Sequence, residues 1–199
     1  MKTFWDERYA APDYVYGTEP NAFFRSFIDG RPPGRILLPA EGEGRNAVYA
    51  ARHGWEVTAF DYSEAGQAKA LCLADRFEVK IDYRLADLEH FPFPVAAFDA
   101  VGLFFVHVPE SIRPSFHQKV INALRPGGWL VLEAFSPEQV HFASGGPRQL
   151  ELLYTPDQLR DDFSALDILE FQALETDLDE GPFHQGRAAV VRILGRKAP

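Results

Sequence analysis

The chain has 199 residues, of which 46% are hydrophobic and 14% aromatic, enough for one globular domain (residues 1–199) with a sizeable core. Its net charge of −9 and the lack of any Lys/Arg run argue against a nucleic-acid partner. The single cysteine, Cys72, excludes an intramolecular disulfide, and no apolar run suits a signal peptide or a membrane span, so we expect a cytoplasmic protein without a membrane partner.

The amino-terminal segment Phe4–Asn21 is irregular in pattern and rich in rings. The aromatic side chains in it are Phe4, Trp5, Tyr9, Tyr14 and Tyr16. Thr18 predicts the cap of a helix from about Pro20 to Asp29. Because an irregular aromatic segment has little reason to be purely core, we expect residues 1–30 to form a lid over a ligand site.

The next stretch predicts a strand, a glycine turn, a helix and a second strand that ends on an acid. The strands are Arg35–Leu38 and Glu56–Phe60, the turn is Ala40–Gly44, and the helix is Arg45–His53. Asp61 follows the second strand, roughly 20 residues after the turn. A helix amino terminus beside a glycine turn, with an acid at this spacing, is typical of a nucleoside-binding site.

Further strands and helices alternate before the chain closes on two adjacent strands. Helices are predicted from Ser63 to Arg76, from Pro109 or Ser111 to Leu124, and from Thr155 to Phe163. Strands are predicted at Lys80–Leu85, Phe98–Phe105, Trp129–Phe135, Leu166–Glu175 and Arg187–Arg196. This order predicts an α/β fold with a doubly wound, mostly parallel seven-stranded sheet and an antiparallel carboxyl-terminal hairpin.

The glycine turn does not by itself choose a nucleoside, because Gly42-x-Gly44-x-x-Ala47 also fits a dinucleotide fingerprint. Three features weigh against a dinucleotide. Small residues extend the turn upstream to Ala40, Asp87 ends the third strand where it can meet an adenine edge, and the chain closes on a strand hairpin. There is also no Tyr-x-x-x-Lys pair of the kind many short-chain oxidoreductases use. An NAD(P)-dependent oxidoreductase stays open as an alternative.

Several short motifs carry a family resemblance: Trp5–Tyr9, Tyr16–Asn21, Glu43–Ala47, Val57–Ser63, Ala86-Asp87, Phe98–Val101 and Leu124–Gly128. Together they resemble the class I S-adenosylmethionine-dependent methyltransferases over nearly the whole chain, most of all the small tellurite-resistance-type and thiopurine-type enzymes. The resemblance implies S-adenosylmethionine as the cofactor. The chain departs from the family at Leu38 and Ala40, where an acid and a glycine are usual, and at Pro39. That departure keeps a non-catalytic cofactor-binding or sensor protein open.

The resemblance also implies which residues contact the cofactor. The turn would wrap its methionine end, Asp61 would bind the ribose hydroxyls, and Asp87 would border the adenine. Glu41 would place a carboxylate near the amino group. The complete predicted set is Ala40, Glu41, Gly42, Gly44, Asn46, Asp61, Tyr62, Ser63, Asp87, Leu88 and Phe105.

Histidines are the candidates for acid–base chemistry. His107 follows the fourth strand, at the edge where ligands bind in open α/β sheets, and His184 lies in the loop of the terminal hairpin. We predict both as catalytic residues, needed only where the nucleophile is a hydroxyl or a protonated amine. Tyr14, Tyr16 and His141 are predicted in a substrate pocket, and no Cys/His spacing indicates a metal.

The acceptor is expected to be a small molecule, because the chain is short and acidic and has no appended recognition domain. A sulfonium methyl group is already activated, so the protein's main task is to place the reactants in line. A monomer or a homodimer is expected.

Overall fold

Seven strands alternate with six helices in the computed structural model, which describes residues 2–199. The strands are β1 Arg35–Pro39, β2 Glu56–Asp61, β3 Asp82–Leu85, β4 Phe98–Phe104, β5 Leu124–Phe135, β6 Asp167–Asp179 and β7 Gln185–Arg196. They form one sheet in the order β3-β2-β1-β4-β5-β7-β6. β1–β2, β2–β3 and β4–β5 pair in parallel, whereas β7 is antiparallel to β5 and β6. The predicted fold class is therefore confirmed.

The helices are α1 Lys2–Tyr9, α2 Ala22–Asp29, α3 Arg45–Arg52, α4 Glu64–Arg76, α5 Arg113–Ala123 and α6 Pro156–Asp162. Two short 3₁₀ turns, Pro137–His141 and Leu150–Leu152, lie in the segment between β5 and α6. No helix within residues 2–199 combines the length and the apolar character needed to cross a bilayer.

The chain divides into two compact units. Unit 1 runs to Phe91 and also takes up Glu180–Phe183 from the tip of the β6–β7 hairpin; unit 2 comprises Pro92–Asp179 and His184–Pro199. Unit 1 thus contains β1–β3 with α1–α4, and unit 2 contains β4–β7 with α5 and α6. The expectation of a single domain over residues 1–199 stays a prediction.

The amino-terminal segment is more ordered than its composition suggested. Residues 2–9 form α1, in which Trp5 and Tyr9 stack with ring centroids 5.4 Å apart, so the prediction of an irregular stretch is wrong here. Their spacing of four residues places both rings on one helix face. The cap predicted at Thr18 is also wrong, because α2 begins after Asn21, whose side chain accepts a hydrogen bond from the Phe24 amide at 3.0 Å.

Unit 2 follows the predicted elements with longer strands. β5 begins at Leu124 instead of Trp129, since the Gly127 amide pairs with the Lys197 carbonyl at 3.0 Å. The β6–β7 pairing continues to Asp179 and Gln185, so the connection between the two strands is shorter than predicted. The helix predicted to start at Thr155 is confirmed as α6, and Thr155 caps it in a capping box in which Thr155 and Gln158 bind each other's backbone amides.

Candidate cofactor and acceptor site

The glycine turn follows β1 with three residues in the left-handed region. Their φ angles are +50° at Ala40, +59° at Gly42 and +83° at Gly44, and Gly44 caps α3. Glycine adopts this conformation without strain, whereas a Cβ costs about 1–2 kcal/mol. The departure from the family at Ala40 therefore falls on a position where the backbone favours glycine.

The two glycines of the turn make room for the chain's own side chains. A Cβ placed on Gly42 would lie 2.5 Å from the Tyr9 hydroxyl oxygen, and one on Gly44 would lie 2.5 Å from the Ala70 Cβ. Both distances are below any normal contact between such atoms. α1 and α4 thus pack directly on the turn, a role that the sequence pattern does not reveal.

Asp61 connects the turn to the start of α4. Its Oδ2 accepts a hydrogen bond from the Gly42 amide at 3.1 Å, and its Oδ1 accepts one from the Ser63 amide at 2.9 Å. The residue is 7% exposed, and burial raises the pKa of its carboxyl although these amide bonds act to lower it. A carboxylate oxygen accepts more than one hydrogen bond, so each keeps a lone pair for ligand hydroxyls.

The Gly42 carbonyl is held by a residue outside the predicted set. The Tyr83 hydroxyl donates to it at 2.6 Å, and burial raises the pKa of Tyr83 well above its ordinary value. With Asp61 on the amide and Tyr83 on the carbonyl, both backbone polar groups of Gly42 are satisfied by the protein. The Gly42 amide is therefore engaged by the protein, while the Asp61 carboxylate is the polar group that we expect to contact a ligand.

Glu41 reaches the amino terminus of α3. Its Oε1 accepts a hydrogen bond from the Ala47 amide at 2.7 Å. Burial raises the pKa of Glu41 to about 7, although the Ala47 amide and the Arg45 charge act in the opposite direction. Near neutral pH this carboxyl group is therefore divided between its two ionisation states, and a cationic group beside it would favour the carboxylate.

The raised pKa of Glu41 predicts a pH-dependent stability. A folded pKa of about 7, above the ordinary 4.5, favours the protonated carboxyl. Its contribution, roughly 3 kcal/mol at most, is fully present below pH 4.5 and is lost as the pH rises through 7. Urea unfolding between pH 5 and 8 should show this loss in the wild type and a smaller one in Glu41→Gln. Glu110→Gln, at an exposed position, serves as control. If the free energy of unfolding changes equally with pH in all three proteins, the raised pKa of Glu41 is contradicted.

The segment after α1, residues 10–21 (the strap), is fastened to α3 and α4. The Glu43 carboxylate accepts a hydrogen bond from the Val15 amide at 2.9 Å and forms an ion pair with Lys69 at 2.8 Å. The Asn46 Oδ1 accepts a hydrogen bond from the Asn21 amide at 2.9 Å. Asn46, predicted to contact the cofactor, therefore uses its carbonyl oxygen to hold the strap.

The hairpin tip adds a buried ion pair to these contacts. We call the whole set the clasp: the strap together with Glu43, Lys69, Asn46, Arg45 and Glu180. Arg45 and Glu180 meet at 2.8 Å with side chains that are each 8% exposed. The Asn21 side chain donates through Nδ2 to the second Glu180 oxygen at 2.9 Å, and Arg45 also donates to the Tyr16 carbonyl at 3.2 Å. Breaking a buried pair of this kind typically costs about 3–5 kcal/mol, so the clasp holds strap and hairpin tip together firmly.

Two tyrosines of the predicted substrate pocket belong to the strap. The Tyr14 hydroxyl donates to the Lys69 carbonyl at 2.9 Å, and its ring packs on the buried side chains of Val48 and Leu73. The Tyr16 hydroxyl accepts a hydrogen bond from Arg8 at 2.8 Å. Both side chains thus stabilise the strap, and their contact with a substrate stays a prediction.

Four further residues of the predicted cofactor set lie at the ends of β2 and β3. Ser63 caps α4 and donates to Asp6 at 2.6 Å, whereas Tyr62 beside it is half-buried. Burial and the Asp61 charge raise the pKa of Tyr62 to about 12, so the phenol stays a hydrogen-bond donor.

Asp87 is engaged by its own loop. Its carboxylate accepts hydrogen bonds from the Glu89 and His90 amides at 3.0 and 2.8 Å. Burial opposes ionisation, but the bonds from His90 and Glu89 hold the pKa of Asp87 below its ordinary value. Leu88, half-buried between these residues, is the better placed of the predicted pair for apolar contact with an adenine.

In unit 2, an aromatic cluster lies at the carboxyl ends of β4 and β5. Phe105 follows β4 with φ +55°, an unusual conformation for a side chain of this size, and its amide donates to the Glu133 carbonyl at 2.8 Å. Its ring lies 4.5 Å from both the Phe135 and the His184 rings, and the last two lie 5.4 Å apart. Backbone strain of this kind costs about 1–3 kcal/mol and is concentrated at functional sites, so Phe105 is a candidate functional residue.

His107 stands beside this cluster with both ring nitrogens engaged. Its Nδ1 lies 2.7 Å from the Leu152 carbonyl oxygen, and its Nε2 accepts a hydrogen bond from the Phe135 amide at 3.2 Å. Burial lowers the pKa of His107 to about 4. The base role of His107 stays a prediction, and the lone pair that it requires is occupied by the Phe135 amide.

Outside these groups, α5 and α6 are tied by a cluster that the sequence does not announce. Arg113 and His117 both donate to Asp162 Oδ2 at 2.7 Å, and burial lowers the pKa of His117. His141, predicted in the substrate pocket, ends the first 3₁₀ turn on the exposed surface. Within residues 2–199, no three His, Cys, Asp or Glu side chains are grouped to hold a metal.

The sheet order and the turn–acid pair define a nucleoside-binding protein of the Rossmann-like class, and the comparisons specify which. Residues 36–128 match the family described as "Methyltransferase domain". Methyltransferase str3 of Strobilurus tenacellus is 33% identical over 112 residues, which make up 53% of this chain and 37% of that relative. The match thus spans little more than a third of the relative's length.

Solved structures share the fold at low sequence identity. One, from work on the conversion of a disulfide bond into a thioacetal group during echinomycin biosynthesis, has a TM-score of 0.81 at 18% identity and covers 100% of this chain and 92% of its own. TehB from Haemophilus influenzae has a TM-score of 0.74 at 16% identity, and the match covers 98% of this chain and 66% of TehB.

Residues 36–128 thus match a methyltransferase domain, which confirms the resemblance to the class I S-adenosylmethionine-dependent methyltransferases.

Proposed function

We propose that the protein transfers the methyl group of S-adenosylmethionine to a small-molecule acceptor. The observation that carries the proposal is the buried Asp61 carboxylate, fixed by two backbone amides and still able to accept hydrogen bonds from a ribose. The cofactor supplies an electrophilic methyl group on a sulfonium centre. The single cysteine of the chain fits the reducing cytoplasm, where we place this activity.

The residues of unit 1 would hold the cofactor by charge and shape. Asp61 would bind the ribose hydroxyls through charge-assisted hydrogen bonds. Glu41, with a pKa of about 7, would lose its proton beside a cationic amino group and pair with it. Tyr62 and Leu88, both half-buried, would supply apolar contact to the base.

The residues of unit 2 would form the wall on which the acceptor rests. The half-buried Phe105 would offer its ring, backed by the buried Phe135 and His184 rings, which suits a small apolar or aromatic molecule better than a polymer. The acceptor's nucleophilic atom would bond to the methyl carbon as the carbon–sulfur bond breaks, leaving a neutral thioether. A proton on that nucleophile would pass to His184, whose ring lies 4.5 Å from that of Phe105.

Titration calorimetry tests the cofactor half of the proposal. We expect S-adenosylmethionine and S-adenosylhomocysteine to bind with micromolar affinity, about −8 kcal/mol, and NAD(P)H not to bind. Absence of S-adenosylmethionine binding by the folded protein would overturn the proposal.

An acceptor panel tests the reaction. Thiophenol, catechol and benzylamine present a soft thiolate, a hydroxyl and an amine, and release of S-adenosylhomocysteine reports turnover. We expect release with at least one of them, and dependence on His184 for catechol or benzylamine more than for thiophenol. Tight cofactor binding without release would instead favour the non-catalytic sensor, which the departures at Leu38, Pro39 and Ala40 motivate.

A further inference from the structure

We propose that His107 is a positioning residue that closes the base of the loop after β5 and thereby sets the acceptor wall, and that it does not act as a base. The assignment of this wall to the acceptor rests on the proposed function; the closure itself rests on the hydrogen bonds of His107. These bonds reach Leu152 and Phe135, the two ends of the segment that contains residues 136–151.

A neutral imidazole makes both bonds in only one of its tautomers. A carbonyl oxygen only accepts, so Nδ1 must carry the hydrogen; the Phe135 amide only donates, so Nε2 must carry the lone pair. Protonation of the ring would place an N–H against the Phe135 amide, and the other tautomer would lose both bonds. Burial acts in the same direction, since the pKa of His107 falls to about 4.

The ends of the loop are brought together by two more bonds beside His107. The Tyr154 amide donates to the Phe135 carbonyl at 3.1 Å, and the Val108 amide donates to the Tyr154 hydroxyl at 2.8 Å. Long loops whose ends meet and whose side chains pack within them form stable, frequently functional units. His107 therefore stabilises the loop at its base, where the loss of its two bonds would loosen both ends of the segment.

The loop in turn covers the aromatic cluster. A Cβ on Gly146 would lie 2.7 Å from the Phe135 ring, so the main chain of the loop lies directly on that ring. Gln139 fixes the loop to β7, because its side-chain oxygen accepts a hydrogen bond from the Ala189 amide at 2.8 Å and its nitrogen donates to Ser144 at 3.0 Å. Movement of the loop base would therefore displace Phe135, and with it the surface that we assign to the acceptor.

Three substitutions separate the two bonds of His107. His107→Asn keeps a donor at the position of Nδ1, His107→Gln keeps an acceptor at the position of Nε2, and His107→Phe keeps a ring without either. Hydrogen exchange is expected to be about tenfold faster at Phe135 and across residues 150–153 in the Phe variant, the effect of one lost hydrogen bond. Asn should restore protection near Leu152, and Gln should restore it at Phe135. His53→Asn, on an exposed histidine, is the control.

NMR of ¹⁵N-labelled histidine supplies the readout that a packing role alone would not predict. We expect the Nδ1–H tautomer of His107 to persist from pH 8 to pH 5 without titration. A titration midpoint between pH 6 and 7, the opposite tautomer, or equal exchange in all three variants would overturn the inference.

Cofactor affinity keeps this result separate from the proposed function. S-adenosylhomocysteine binding should stay within about twofold in every His107 variant, because the bonds described for Gly42, Asp61 and Glu41 lie in unit 1. For an acceptor found in the panel, KM should rise in the Phe variant while the pH profile of kcat keeps its shape. If the wild type binds no cofactor, the proposed function fails, and the exchange pattern still decides the role of His107.

Discussion

Replacement of Asp61 by alanine is expected to abolish most S-adenosylmethionine binding. Two charge-assisted hydrogen bonds to a ribose would be lost, at about 1.5–3 kcal/mol each, so the dissociation constant should rise roughly 10²–10⁴-fold. The same substitution removes the acceptor of the Gly42 and Ser63 amides, which shape the turn itself. Calorimetry with S-adenosylhomocysteine measures the affinity without turnover.

The fold of the Asp61 variant has to be measured beside its affinity. Each buried amide left without an acceptor costs about 1–3 kcal/mol, while removal of a carboxylate whose pKa is raised by burial returns part of that free energy. Thermal unfolding will show the net change. Asp82→Ala, an exposed acid on β3 that pairs with Arg84, is the control and should bind normally. Unchanged affinity in a folded Asp61→Ala protein would reject the cofactor assignment.

The sheet and its order of elements could be predicted because their signals are local. Short apolar runs such as Ile36–Leu38 and the alternating Glu56–Phe60 indicate strands by periodicity, and the absence of a helix between the last two strands fixes them as a hairpin. Thr155 and Gln158 form a capping box from residues three apart. A pattern of this kind is complete within a few residues, so it can be recognised without the fold.

Most of the clasp around the strap could not be predicted, because its partners are far apart in the sequence. The local sequence around Glu43 indicates a solvated turn residue, yet its carboxylate accepts a hydrogen bond from the amide of Val15, 28 positions earlier. Arg45 reads as a helix-surface cation, yet it pairs with Glu180, 135 positions later. Nothing near either residue in the sequence indicates such a partner, and only tertiary contact explains their burial.

The prediction of an irregular stretch at α1 was wrong for a different reason. The i, i+4 spacing of Trp5 and Tyr9 was visible, but a short helix in isolation is marginal and its aromatic content gave more weight to an irregular lid. Docking supplies what the local sequence lacks: Asp6 accepts a hydrogen bond from Ser63, and Tyr9 fills the space over Gly42. The lid role expected of residues 1–30 stays a prediction, and its anchor on the turn gives it a direct test.

Alanine at Gly42 is expected to release α1, whereas alanine at Gly44 should destabilise the core of unit 1. The added Cβ at Gly42 meets the Tyr9 hydroxyl at 2.5 Å, the far end of a side chain on the eight-residue helix α1. At Gly44 it meets the Ala70 Cα at 2.8 Å, a main-chain atom inside α4, which cannot shift as the end of a side chain can. Left-handed strain of about 1–2 kcal/mol accompanies both changes.

The two outcomes are separated by where protection is lost. In Gly42→Ala, hydrogen exchange should accelerate in residues 2–9, and S-adenosylhomocysteine should dissociate faster, with the denaturation midpoint lowered only by the left-handed strain. In Gly44→Ala, overpacking adds about 1–3 kcal/mol to that strain, and the midpoint of the whole unit should fall. Compared with Tyr9→Ala alone, the double variant Tyr9→Ala/Gly42→Ala should be destabilised only by the left-handed strain at residue 42. Equal denaturation midpoints for the two glycine variants, with α1 still protected in both, would show that Tyr9 does not contact Gly42 in solution. Faster cofactor release from Gly42→Ala alone would instead establish that the turn holds the lid.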